Sequence, residues 1–399
     1  MDDNTNPMKI VFLCNNFKSQ NGVERVWSQK LSMLAEHPDF DVFLITYNQY
    51  GNPFSFQISD KVYHIDLATR YISRCSFHGI YQYIDRYKSE RLFRKELDRF
   101  LNKLSPDIIT CADLHVSDLK AVLSSTVHAV RIVECHCGRS AYFEDVYKHN
   151  HLLKRLQDRY LKKQLISAIR KFDKVVVMTE AEKEDWELND KVVCIPNMMD
   201  ICPRRESVKP LVHKRVISVG RYAYQKGFDL LLESWCIVQK SHPDWALHIY
   251  GSHDGGVGDY ERLQEQIKQN QIDNVFLHQF TNDVYACYSQ SDFYVMSSRF
   301  ESFGLVLIEA MACGLPVISF DCKYGPRSII QNRKTGLLVP QGNTKELAVA
   351  ICSMIEQDEE RQQMAMNAKS ESKKYQLESI MPIWCDFYKS LVAGRSIEA

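Results

Sequence analysis

Glu301 and Glu309 stand in a stretch that otherwise reads as buried helix. In "RFESFGLVLIEAMACGLPVIS" (299–319), Phe303, Leu305, Val306, Leu307, Ile308, Ala310, Met311 and Ala312 run almost without a polar break. Desolvating a carboxylate is costly unless something pairs with it, so both acids need partners or a task. The stretch follows a strand-length run, "DFYVMSS", which places a helix start near Ser302 and Phe303, capped by Ser302 or Glu301. The free amides of about Phe303 to Val306 then point back over the strand end, where the helix dipole places roughly half a positive charge. That arrangement binds anions. Glu301 lies at its mouth and Glu309 about two turns in, placed to reach a ribose-type diol. The competing explanation is that both acids only complement the dipole, which accounts poorly for Glu309 among apolar neighbours.

A second constellation lies in "SVGRYAYQKGFDLLLESW" (218–235). A strand ends at Gly220, and an amphipathic helix starts after Gly227. Between them sit Arg221, a planar fork, and Lys226, a point charge. Two such cations in one strand-to-helix loop suit a diphosphate; an ordinary solvated loop would look the same.

The elements that must position these residues repeat along the chain. "KIVFLC", "DVFLITY", "DIITCA", "AVRIVEC" and "KVVVMT" read as buried parallel strands, with helical patterns over 22–36, 81–104 and 152–171. The alternation pauses at "PNMMDICPRRESVKPLVHK" (196–214), the best linker candidate. It restarts with "KRVISVG", "WALHIYG", "NVFLHQF", "DFYVMSS", "LPVISFD" and "TGLLVPQ". The expectation is α/β, two Rossmann-like doubly wound domains facing across a cleft. They would span 1–205 and 206–376, with an amphipathic helix in 377–399 packing back on the first. Ligands of such sheets bind beyond the strand C-terminal ends.

The whole-chain numbers bound the function. With 399 residues, 25% charged and 45% apolar, two ordinary cores are affordable. Lysine plus arginine equals aspartate plus glutamate at 50 each, so nothing draws the chain globally toward nucleic acid. The 13 cysteines fall mostly in apolar runs and read as reduced thiols. The acidic start, with a short apolar run over 10–14, does not resemble a signal peptide, and no run reaches the ~18 apolar residues of a membrane span. The expected location is cytoplasmic, with peripheral contact at the inner face of a membrane left open. That contact rests on Lys154, Arg155, Arg159, Lys162, Lys163, Arg170 and Lys171, a basic amphipathic segment suited to anionic lipid or to a solvated helix face.

Taken together, "VGRYAYQKG" and "ESFGLVLIEAMACGLPVI" resemble the C-terminal domain of the retaining glycosyltransferases of family 4, which have the GT-B fold. The Glu-x7-Glu spacing matches at Glu301 and Glu309, the arginine–lysine pair at Arg221 and Lys226. "QNGVERVWSQKL" is similar to the family's N-terminal glycine loop, at Gly22 with Glu24. "ECHCG" resembles the loop bearing its active-site histidine, at His136; His115 in "CADLHVSD" is a rival. "DCKYGPRSII" and "TGLLVPQGN" fit in order and spacing, so the similarity covers nearly the whole chain.

The resemblance implies roles. Arg221 and Lys226 hold the donor's diphosphate, and Glu309 takes the ribose hydroxyls. Glu301 meets the transferred sugar, and the amides of Phe303, Gly304 and Leu305 meet sugar and phosphate. Gly22 admits the donor closely, and His136 sits by the reacting sugar. The activity implied is hexose transfer from a nucleotide diphosphate sugar, with UDP expected, to a glycan or lipid-linked acceptor, without a metal or other cofactor. The lone Asp-x-Asp, Asp39 and Asp41, reads as a surface turn, and His136 between two cysteines lacks further metal ligands at workable spacing. Two other classes stay open: another GT-B enzyme such as an epimerase or phosphorylase, and a non-catalytic sugar-nucleotide binder.

Overall fold

The computed structural model describes residues 6–18, 22–69, 80–113, 116–136, 138–139, 152–200, 213–252 and 259–393. His115 and most of the expected linker (201–212) lie outside them. The chain forms two compact units, Met1–Met198 with Ile380–Ala399, and Met199–Ser379.

The first unit is built on seven parallel strands: β1 (Met8–Cys14), β2 (Phe40–Thr46), β3 (Tyr63–Asp66), β4 (Ile108–Ala112), β5 (Val130–Glu134), β6 (Lys174–Val177) and β7 (Val192–Cys194). Their order is β3-β2-β1-β4-β5-β6-β7. The order reverses beside β1, as in a doubly wound sheet, and ligands are expected beyond the strand C-termini at that point. β4 is buried at all five positions, which is why it reads as a continuous apolar run. The helix Gly22–Glu36 turns Val26, Leu31 and Leu34 into the core, while Glu24 and Lys30 are also buried. The short strands β3 and β7 were not expected from the sequence.

The second unit repeats the plan with β8 (Arg215–Val219), β9 (Ala246–Tyr250), β10 (Val275–His278), β11 (Phe293–Met296), β12 (Val317–Phe320) and β13 (Gly336–Val339). All pair in parallel, in the order β10-β9-β8-β11-β12-β13. Val216, Leu247, Ile249, Phe293, Val295 and Ile318 pack on the helices Phe228–Ser241 and Thr344–Glu356. The reversal falls between β8 and β11, so the loops leaving those two strands share one sheet edge.

The helix Leu377–Ala393 carries the chain back into the first unit, where Trp384 and Tyr388 are buried. Tyr388 meets Phe40 edge-on, and Lys389 pairs with Asp39. Asp39 lies in the turn ahead of β2 with Lys389 as its partner, whereas Asp41 lies within β2.

Candidate active site

In the second unit, the sheet brings Lys226 and Glu301 together. Their ammonium and carboxylate are in direct contact, and Ser298 Oγ donates to the same Glu301 oxygen at 3.0 Å. Glu301 is 9% exposed, so the buried acid has found a cation. The contact is set by close packing of the two loops. Gly227 has φ +61°, and a Cβ there would lie 2.1 Å from Ser297 O. Ser297 Oγ donates to Lys226 O at 3.0 Å, and Gln225 Nε2 to Phe300 O at 3.1 Å.

Arg299 clamps the same loops. Its guanidinium forks onto Asp229 (Nη1–Oδ1 2.8 Å, Nη2–Oδ2 2.6 Å), donates to Tyr224 O at 2.8 Å and lies 4.0 Å from the Tyr224 ring centroid. The Asp229 fork lifts the Arg299 pKa further although burial opposes it. Lysine could make neither the fork nor the stack. Sequence reasoning gave Arg299 and Asp229 no role; an arginine just after one strand and an acid opening the other loop's helix were the available signal. Arg221 is exposed at the start of its loop.

The helix that follows Glu301 begins later than expected. It spans Leu305–Ala312, and its cap is Gly304 at φ +99°, with no side-chain hydrogen bond, in place of Ser302 or Glu301. A glycine is required because the left-handed backbone is strained for other residues. The amides left over at this end are thus those of Leu305 and Val306, since Leu307 N already donates to Gly304 O. Phe303 is buried against Tyr375, and its carbonyl lies so near Gly325 that a Cβ there would approach to 1.9 Å. Glu309, 3% exposed, accepts from Tyr288 Oη at 3.1 Å. Burial, and then Glu309 itself, push the Tyr288 pKa up, so the phenol stays a donor.

In the first unit, Gly22 is exposed as the first residue of its helix, and Glu24, two residues on, is buried. His136 leaves β5 with its side chain only 4% exposed. Its backbone amide donates to Asp113 Oδ1 at 3.1 Å, its ring meets Trp27 edge-on, and Nε2 lies 3.3 Å from Glu134 Oε2. Glu134 is fully buried and also accepts from Lys30 Nζ and from Trp27 Nε1, the latter at 3.0 Å. Burial would raise its pKa, but Lys30 and then His136 hold it down to about 2. Lys30 is lowered by its own burial, with Glu134 opposing, and its ammonium sits 3.6 Å from the Trp384 ring centroid. Neither Lys30 nor Glu134 was singled out in the sequence; a lysine on the apolar stripe of an amphipathic helix and an acid closing a buried strand were the visible irregularities.

One doubly wound unit carries a histidine just past a strand end, and the other a cation–carboxylate pair close to a helix N-terminus. Comparisons with known proteins agree with that construction. The family model for glycosyl transferases of group 1 matches residues 203–371. The chain is 30% identical over 382 residues to an uncharacterized glycosyltransferase of Haemophilus influenzae, covering 94% of this chain and 98% of the relative. It is 25% identical over 389 residues to the amylovoran biosynthesis glycosyltransferase AmsD of Erwinia amylovora, covering 95% and 99%. Its fold superposes on that of the Anabaena protein HepE, crystallised with UDP-glucose, at a TM-score of 0.72 with 17% identity, covering 96% and 100%. The fold is that of the GT-B glycosyltransferases. The chain belongs to the group 1 glycosyltransferases.

Proposed function

We propose that this enzyme is a retaining, metal-independent hexosyltransferase. It takes the sugar from a nucleotide diphosphate donor, with UDP as the carrier, to a hydroxyl of a glycan or lipid-linked acceptor in cell-surface polysaccharide or lipopolysaccharide synthesis. The observation that carries the reading is the Lys226–Glu301 pair, clamped by Arg299 and Asp229 beside the free amides of Leu305 and Val306. As the glycosidic bond breaks, negative charge grows on the departing diphosphate. Lys226 and those amides are already held in place to stabilise it, and Arg221, exposed at the start of the same loop, adds a second cation, so they lower the barrier more than they deepen substrate binding. Lysine has three N–H donors, so Lys226 can keep Glu301 while taking a phosphate oxygen. Glu301 then orients a hydroxyl of the transferred sugar, and Glu309 takes the ribose hydroxyls. Gly22 gives the donor close access to backbone, and His136 serves the reacting sugar. Retention follows from the motif resemblance: the acceptor attacks from the leaving-group face, and the departing phosphate takes its proton.

UDP is supported by the structural neighbour crystallised with UDP-glucose, and the surface-polysaccharide setting by the amylovoran relative. Lys226→Ala and Glu309→Ala should each lower turnover by about a hundredfold or more in a folded protein. Near-wild-type rates in both would overturn the assignment. Product analysis separates transfer from epimerisation, phosphorolysis and mere binding, and donor-dependent thermal shifts across UDP-, GDP- and ADP-sugars identify the carrier.

The acceptor reading includes contact with anionic lipid. Among the described residues, no helix is long and apolar enough to cross a membrane. The helix Leu152–Ile169 exposes Tyr160 and Leu161 between Arg159 and Lys163, and the helix Ile80–Leu104 exposes Tyr87 beside Lys88 and Leu92 one turn before Lys95. Rings and aliphatic chains interleaved with cations are what an anionic headgroup layer accepts.

A further inference from the structure

The Lys30–Glu134–His136 chain is more than a buried ion pair. Its members come from three places: Lys30 and Trp27 from the helix Gly22–Glu36, Glu134 from the end of β5, and His136 from the loop beyond. Lys30 Nζ and Trp27 Nε1 occupy the two oxygens of Glu134, and His136 Nε2 approaches the oxygen shared with Trp27 at 3.3 Å. Such a carboxylate can only accept protons, because the ammonium against it keeps it ionised. The ring nitrogen facing it is therefore the N–H. Nε2 makes no hydrogen bond to the carboxylate at 3.3 Å, so its hold on the ring is electrostatic. Trp27, edge-on to the imidazole, limits its rotation.

We propose that Glu134 is the positioning residue for His136: it fixes the neutral Nε2–H tautomer and leaves Nδ1 as the nitrogen that meets a substrate hydroxyl. Lys30 is what keeps Glu134 able to do so. This rests on the reading that places His136 by the reacting sugar, and it adds a definite proton position to that reading. A ring in the other tautomer would offer Nδ1–H and would repel a hydroxyl hydrogen aimed at it.

The test is a ¹⁵N spectrum of imidazole-labelled protein at pH 8, with the His136 signal among the 13 histidines assigned by its loss in His136→Asn. Glu134→Gln alone would strand the Lys30 ammonium in the core and endanger folding. The informative variant is therefore Lys30→Met with Glu134→Gln, which removes both charges. In the wild type, Nε2 should carry the proton and Nδ1 the lone pair. In the folded double variant the tautomers should mix, and kcat should fall by about tenfold or more with donor KM within about threefold, as when the carboxylate behind a histidine is neutralised. A wild-type spectrum showing Nδ1–H, or an unchanged tautomer in the double variant, would overturn the proposal. A changed tautomer with unchanged turnover would uphold control by Glu134 and instead overturn the role of His136 in transfer.

Discussion

In the proposed reading, Glu301 and the donor diphosphate would draw on the same ammonium. The Lys226 charge is already partly neutralised by a carboxylate that is 9% exposed and held by Ser298. A bare nucleoside diphosphate brings more negative charge to that carboxylate and offers it no hydroxyl in return, whereas the full donor does. Glu301→Gln should therefore bind UDP about threefold to tenfold more tightly, from the lost repulsion in a largely water-screened site, while transfer collapses. Calorimetric titration of UDP checks this, and an unchanged or weakened affinity would count against the arrangement. Arg299→Lys should raise the donor KM by about tenfold, or about 1.4 kcal/mol, because lysine replaces the fork onto Asp229 and the stack on Tyr224 with a single point contact. An unaltered KM would show that the two loops hold their shape without the clamp. The sequence displayed Lys226, Glu301 and Glu309 by type and spacing. It could not display that Glu309 leans on Tyr288, across β11, or that Arg299 reaches Asp229, because the first pair forms only when the helices flanking β11 pack and the second only once β8 and β11 lie side by side.

The strands that carry the sites were legible because parallel strands buried on both faces have no polar phase to hide them. β3 and β7 escaped notice for the opposite reason: they are four and three residues long, at the sheet margins, and β3 has two exposed positions. The helix after Glu301 was legible as an element, but its first turn was misplaced, since Ser302 and Glu301 look like caps and Gly304 supplies the left-handed residue instead. One buried group gives the first unit a pH signature of its own. Asp118, on the helix Val116–Ser124, accepts from Tyr47 Oη at 2.6 Å, and burial lifts its pKa to about 7 despite that bond. Between the ordinary aspartate value near 3.9 and about 7, the folded state holds a proton that the unfolded chain has released. Its contribution to stability is therefore present at low pH and is lost as pH rises through that window. The melting temperature of Asp118→Asn should depend less steeply on pH between 5 and 8 than that of the wild type, with the variant gaining relative stability at the upper end. Parallel melting curves across the series would refute this.

At the scale of the molecule, the basic segment divides into two kinds of residue. Arg159 and Lys163 are exposed beside Tyr160 and Leu161, whereas Lys162 is half-buried. Charge reversal at Arg159 and Lys163 should abolish flotation with vesicles containing anionic lipid and leave flotation with neutral vesicles unchanged; equal flotation of both proteins would remove membrane contact from the proposal. The return of the chain at Ile380 has a further consequence for how the protein is made. The second unit is one contiguous segment, complete once Ser379 has been synthesised, while the first unit still lacks Trp384, the ring over Lys30, and Tyr388, which fills the space beside Phe40. On the ribosome, the segment translated later is thus free to reach its native state earlier, and a fragment cut after Met198 would expose an unroofed ammonium and an open apolar seam where the intact chain has none.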